Sequence, residues 1–236
     1  MRLSLKFVLA LAMLAVIGTA SAATLDFIFL TETGSAGSAG NVRTFTNGAV
    51  TVTVTSYSLW QGSSTALFES AATGQWDYGL GVDNGYESSD PPYQHSVDNA
   101  TGYTDFLLLE FSSPVTPQLL AVYQFFDSDF DYWTGNIASS LTGLQLSSLS
   151  AFAMGSSNAT APQGYRFADL SSQGAVSALL LAADLSGSDD IFKVAGLRVD
   201  YSPPPPEVPE PASYATMGGA LLGLGLFAAR RQHRSR

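Results

Sequence analysis

Three aspartates at alternating positions form the densest charged group in this chain: Asp127, Asp129 and Asp131, in the run Asp127-Ser128-Asp129-Phe130-Asp131. Alternation puts them on one face of a strand, or lets them converge inside a loop. Two carboxylates about 6–7 Å apart repel by roughly 2 kcal/mol at an effective dielectric near 20, so the group needs solvent or a cation. Calcium takes several hard oxygen ligands and would relieve the repulsion. The run opens like an EF-hand loop and then departs from it, with Tyr132 where the loop needs glycine and Ala138 where it needs glutamate. A calcium ion on Asp127, Asp129 and Asp131 would therefore occupy a loop site of another kind; the plainer expectation is a solvated acidic loop.

A second constellation runs through Asp77, Asp83, Asn84, Glu87, Asp90, His95, Asp98 and Asn99, in a long loop rich in turn residues. Asp98 and Asn99 suit a side-chain-capped turn ahead of a strand near residue 105. His95 is the only histidine outside the C-terminal tail. As a catalytic base it would need a nucleophile and an orienting acid, and the chain has neither a Gly-x-Ser-x-Gly elbow nor a Ser-x-x-Lys pair. A turn or surface role is expected for it. A hydrolase built on two carboxylates stays open, because their separation cannot be read from a sequence. Trp60, Trp76, Trp133, Tyr78, Tyr86, Tyr93 and Tyr132 lie mostly in or beside predicted loops. Exposed rings near carboxylates would suit sugars, although most aromatics of a β domain belong to its core.

Composition narrows the classes. Of 236 residues, 46% are hydrophobic and 13% charged, about half the usual charged share. Cysteine is absent, which removes disulfides, thiolate metal sites and thiol nucleophiles together. Between residues 23 and 208 the basic residues are Arg43, Arg166, Lys193 and Arg198, against nineteen acids, a net charge of −15. Such a body repels nucleic acid and anionic lipid, stays soluble and attracts cations.

The elements that must hold these residues are predicted to be strands. Apolar and aromatic runs occur at 24–30, 105–111, 119–126, 175–183 and 191–201, with Pro114 and Pro117 marking a loop between two of them. Val42–Phe45 and Ala49–Tyr57 form a hairpin around Asn47-Gly48, whose second strand alternates valine with threonine. The run 105–111 suits a strand buried on both sides. The last run shifts phase at Ala195-Gly196, as at a bulge. Alanine and leucine leave 175–183 open to a helix, and 141–154 mixes helical spacing with serines. The expected fold class is all-β, a β-sandwich or jelly roll, for which about 180 residues suffice without disulfides.

Both ends look like processing segments. Arg2 and Lys6 precede an apolar run from Phe7 to Ile17, then Ala20-Ser21-Ala22 supplies the small residues of a cleavage site. Residues 1–22 are thus expected to be a signal peptide, since about 16 Å of apolar helix is too short to span a bilayer. Residues 23–201 are the acidic body and 202–208 a proline-rich linker, extended because proline cannot continue a sheet. Within 209–236, Pro209-Glu210-Pro211 precedes an uncharged stretch, Ala212–Ala229, about 27 Å long as a helix and sufficient to span. Arg230, Arg231, Arg234 and Arg236 close the chain and should stay cytoplasmic, with the body outside.

This order of motif, span and arginine cluster resembles the PEP-CTERM sorting signal of Gram-negative bacteria. The tail also resembles the C-terminal segment of some bacterial ice-binding proteins, but it carries no ice-binding chemistry. The segment Gly-Leu-Gly-Val, then His-Ser-Val-Asp-Asn, then an apolar strand, is similar to stretches in exported domains that bear this tail. The resemblance implies signal peptidase and an exosortase as processing partners, the latter cutting near Pro209, Glu210 and Pro211. It also implies a precursor anchored in the inner membrane, and a mature protein released or attached at the surface. The expected function is a non-catalytic surface or extracellular-matrix protein. The alternative is an adhesion module for exopolysaccharide, supported by calcium, and behind it the hydrolase.

Overall fold

Alternation decides the first strands as the pattern demands. Val50, Val52 and Val54 are fully buried, while Thr51 and Thr53 of the same run keep partial exposure. A computed structural model describes residues 21–30, 40, 42–86, 95–100, 102–137, 139–158 and 163–204. The signal-peptide residues through Ala20, Tyr93, Glu87, Asp90, Pro209, Glu210, Pro211, the apolar stretch 212–229 and the terminal arginines lie outside them. No helix among the described residues is long and apolar enough to cross a membrane.

Among the described residues twelve strands follow in chain order: β1 (Ala23–Ile28), β2 (Val42–Asn47), β3 (Val50–Trp60), β4 (Glu69–Trp76), β5 (Gly79–Asp83), β6 (Val97–Asp98), β7 (Tyr103–Gln124), β8 (Phe130–Gly135), β9 (Ala153–Ser157), β10 (Gly164–Asp169), β11 (Val176–Ala183) and β12 (Ile191–Tyr201). All belong to the unit Ala22–Ser202. The fold is all-β, and 175–183 is a strand rather than a helix. The ambiguous stretch 141–154 resolves into one short 3-10 helix, Leu146–Ala151, leading into β9.

Strand β7 departs from expectation. Its 22 residues merge the two predicted runs, and Pro114 and Pro117 lie inside it instead of in a loop between strands. Proline's fixed φ is compatible with an extended chain; it only withholds a ladder donor. The first half of β7 pairs with β3 and β11, the second half with β12 and β10. One ladder thus runs β2-β3-β7-β11-β8-β9, with β4 joining β3 beyond β2. The other places β10, β7, β12 and β1 side by side, with β5 and β6 on the first residues of β12.

The central strands of the first ladder are buried on both faces. Leu107, Leu109, Leu179 and Leu181 enter one apolar cluster with Leu120, Val122, Val194, Leu197 and Val199 of the second ladder. Phe106, Leu108, Leu180 and Trp133 enter another, covered by Phe68, Ile137, Leu141 and Leu149. This two-sided burial is why Phe106–Leu109 of β7 and most of β11 read as unbroken apolar runs. The bulge at Ala195 is present, since the β12–β7 register shifts between Val194 and Gly196. The hairpin turn sits one residue later than predicted: Asn47 pairs with Val50, leaving Gly48-Ala49 as the loop, with Gly48 at φ +57°.

Gly79 opens β5 at φ +126°, where a Cβ would stand 2.2 Å from the Val194 carbonyl oxygen. Gly79→Ala is expected to lower stability by about 2 kcal/mol or more, read as a reduced urea midpoint at unchanged slope.

Candidate functional site

The acidic run splits where β8 begins. Phe130 and Tyr132 turn into the first apolar cluster and Trp133 into the second, so alternation sends Asp131 to the opposite side from Phe130. There Asp131 is buried, and its Oδ2 accepts from the Leu185 N–H at 3.2 Å. Burial, with the Asp184 charge adding, raises its pKa against that bond. Asp127 and Asp129 stay in the loop before β8, where their partner is Asp190. One carboxylate oxygen from each of Asp127, Asp129 and Asp190 lies within 4.8 Å of the others. Of the expected trio, Asp127 and Asp129 are brought together with Asp190, while Asp131 lies apart from them.

Backbone pairing makes this convergence. Residues 127 and 190 form an isolated parallel bridge, and the Ile191 N–H donates to the Asp127 carbonyl at 2.9 Å. Asp190 is 2% exposed. Its Oδ1 accepts from the Asp129 N–H at 2.9 Å and its Oδ2 from Asn99 Nδ2 at 2.7 Å. The Asp190 N–H donates to Asn99 Oδ1 at 3.0 Å, and Asn99 Nδ2 also donates to the Asp184 carbonyl at 2.8 Å. Asn99, expected to cap a turn with Asp98, clasps the loop ahead of β12. Asp98 does cap its turn, accepting from the Ala100 N–H at 3.0 Å.

Arg166 supplies the nearby positive charge. It reaches from β10 to the Ser128 carbonyl at 2.5 Å and Ser157 Oγ at 3.0 Å, and its guanidinium lies 5.1 Å from the Phe130 ring centre. Burial lowers its pKa, while Asp129, Asp127 and Asp190 hold it up. Burial pushes Asp190 up to about 6, with Asp127 and Asp129 adding to the rise against its hydrogen bonds from Asn99 and Asp129. The repulsion is therefore relieved three ways: a proton, a neighbouring guanidinium and an amide clasp. Three hard oxygens this close also match what a divalent cation such as calcium requires.

The second constellation condenses around Trp76. The His95 ring stacks on it at 4.9 Å and 1°, and Lys193 Nζ sits 4.3 Å from the Trp76 ring centre while donating to the His95 carbonyl. His95 adopts φ +59°, and its Nδ1 lies 3.5 Å from Asp83 Oδ2. Burial lowers its pKa against the pull of Asp83, which suits a neutral ring in a turn. Asn84 Nδ2 donates to the buried Asp105 at 2.8 Å. Burial also pushes Asp98 up to about 6, opposed by the Ala100 N–H and the Lys193 charge. Trp133 and Tyr132 prove to be core. Tyr78 stacks on Tyr123, and Tyr86 on Tyr103.

Sequence reasoning missed Asp190 and Arg166. The one available signal was the acid pair Asp189-Asp190 ahead of β12, and nothing in the sequence ties it to Asp129, 61 positions earlier. Beyond the strands, residues 207–234 match the PEP-CTERM protein-sorting motif. No curated protein matches the chain. The motif implies processing by an exosortase and placement at the cell surface or outside the cell.

Two carboxylates raised to about 6 mean that the native state binds protons the unfolded chain releases. Their stabilising share is complete below about pH 4 and is lost as the pH climbs through 6; His95, pulled down, works weakly the other way. In chelator, Tm at pH 5 should exceed Tm at pH 7.5 by a few degrees, and the Asp98→Asn/Asp190→Asn double variant should flatten that slope. Millimolar calcium in the same melts separates two roles. A higher Tm at pH 7.5 with the acid gain abolished marks Asp127, Asp129 and Asp190 as a cation site; an unchanged Tm marks them as a loop clasp. Asn99→Ala removes three bonds around Asp184 and Asp190 and should cost about 2–4 kcal/mol in denaturant unfolding.

Proposed function

We propose that the body is a non-catalytic component of the cell surface or extracellular matrix, delivered as a precursor held in the inner membrane by its own tail. The sorting motif at 207–234, separated by five residues from the last strand's end at Tyr201, carries this reading. Residues 1–22 would direct export and be cut after Ala22, Ala212–Ala229 would span the membrane, and the terminal arginines would remain inside. The body would be a β-sandwich. Its support is the shared apolar cluster, to which both ladders send alternate side chains.

Absence of catalysis is supported by the acidic trio itself. Both oxygens of Asp190 are occupied by protein donors, and Asp190 and Asp98 are each 2% exposed, so neither of the two carboxyls raised to about 6 is presented to a substrate. His95 is stacked on Trp76 and held near Asp83 in a turn. An adhesive role toward exopolysaccharide is the second reading, favoured by exposed aromatic rings on the second ladder: Tyr165 is 51% and Phe167 62% exposed.

Intact mass and location of the mature chain test the first reading. The mass should correspond to loss of residues 1–22 and of the segment beyond the 209–211 region. Glu210→Ala should leave the uncut precursor in the membrane fraction. A Glu210→Ala protein released normally would remove the motif's role in sorting, and polysaccharide hydrolysis lost in Asp190→Asn would overturn the non-catalytic reading.

A further inference from the structure

The two faces of the second ladder differ sharply. One enters the shared core; the other carries large apolar side chains in the open. Strand register sets their arrangement. Across β10, β7, β12 and β1, one row reads Phe167, Ala121, Gly196, Ile28. Two large walls thus flank a floor of two small residues, which is how a trough is built on a twisted sheet. Phe167 is 62% and Ile28 68% exposed. Gly196 holds its place in the floor because β1 passes too close for a side chain, a Cβ there standing 2.8 Å from the Phe27 carbonyl oxygen. The trough encloses about 330 Å³, within the range of small-molecule sites.

Its two ends are chemically distinct. At one end the next row brings Arg198 opposite Asp26, joined by hydrogen bonds of 2.7 and 3.1 Å, with both side chains about half exposed. At the other end stands a group of rings: Tyr165 meets Tyr123 edge-on at 5.1 Å, and Tyr123 stacks on Tyr78 at 4.0 Å. An occupant must therefore be flat and apolar on its faces yet rich in hydroxyls at its rim.

We propose that this trough binds a neutral polysaccharide, one pyranose ring lying between Phe167 and Ile28 with its hydroxyls reaching the Asp26–Arg198 pair and Tyr165. The proposal rests on the adhesive reading above and names its site. Charge excludes the acidic alternative. The body carries a net −15, Arg198 is already committed to Asp26, and Asp169 and Asp200 lie on the adjoining strands. An acyl chain would leave the ion pair unused and one side in water. A peptide strand finds no edge along the trough floor, because β7 and β12 are paired on both sides. One aromatic wall, one aliphatic wall and a charged, bifunctional rim suit a sugar: the Phe167 ring offers a flat apolar face, carboxylate oxygens accept hydroxyl protons and the guanidinium donates.

The test is affinity electrophoresis of the exported protein, recovered from cells, through gels containing soluble β-glucan, xylan, galactomannan or polygalacturonate. Flotation with phosphatidylcholine vesicles and sedimentation over a hundredfold range of concentration accompany it. At least one neutral glycan should retard the protein. Phe167→Ala and Tyr165→Ala should each weaken that retardation about tenfold, Phe167→Tyr should restore it, and Met154→Ala, in the other ladder, should leave it unchanged. Phe167 and Tyr165 are exposed, so unchanged Tm in these variants separates loss of binding from loss of fold. Neutral-glycan binding that survives both alanine variants overturns the trough while sparing the adhesive reading. No retardation by any neutral glycan overturns both, and leaves the surface location standing. Polygalacturonate preference, vesicle flotation or self-association that Phe167→Ala abolishes reassigns the trough to another occupant and overturns the proposal.

Discussion

Strand β7 is the constraint on which the architecture depends. Its 22 residues are hydrogen-bonded to β3, β11, β10 and β12, so one continuous segment belongs to both ladders. Its two halves live in different surroundings. Phe106–Leu109 alternate between two apolar clusters, whereas Leu120 and Val122 face the core and Ala121 and Tyr123 face outward. Pro114 and Pro117 lie between the halves, where an extended chain can change partners and missing amide donors cost little. A fold without disulfides gains its cross-linking here through backbone pairing, with one strand joining the two ladders.

The same economy shapes the acidic cluster. β7 ends at Gln124 and β12 begins at Ile191, side by side, so the loops flanking them must share one corner. That corner receives Asp127, Asp129 and Asp190, and the cost of crowding them is met by Asn99, Arg166 and a proton held on Asp190 to about pH 6. A domain with so few cations has little freedom in neutralising its acids. Of its four basic side chains, Arg166 lies beside this cluster, Lys193 covers Trp76 and Arg198 closes the trough against Asp26. The acids that remain on the surface keep the exported body soluble and repel polyanions.

Three statements were legible without a structure: an all-β body, a bulge at Ala195-Gly196 and a C-terminal sorting segment. Each has a local cause. Period-two alternation in Val50–Thr55, a phase shift in β12 and the order of motif, apolar stretch and arginines all lie within windows of a few tens of residues at most. The hairpin at Asn47 was legible too, but its register fell one residue away, because the pairing of Asn47 with Val50 is set along the whole β2–β3 contact and not by the Asn-Gly dipeptide alone.

What sequence could not determine was every feature made by distant strands meeting. Asp131 looked like the third member of a trio, yet the phase of β8, fixed by Phe130 and Tyr132 in the core, sends it to Leu185 and leaves its place to Asp190. Rings chosen for their loop neighbourhoods scattered, Trp133 to the core, Trp76 at the end of β4 to a stack with His95, and Trp60 to the surface; the exposed walls Phe167 and Ile28 stand over 130 positions apart in the chain. Local chemistry determines which residues prefer strands and which segments leave the cell. Cross-strand register, a property of pairs of strands and invisible to either one alone, decides which side chains finally stand together.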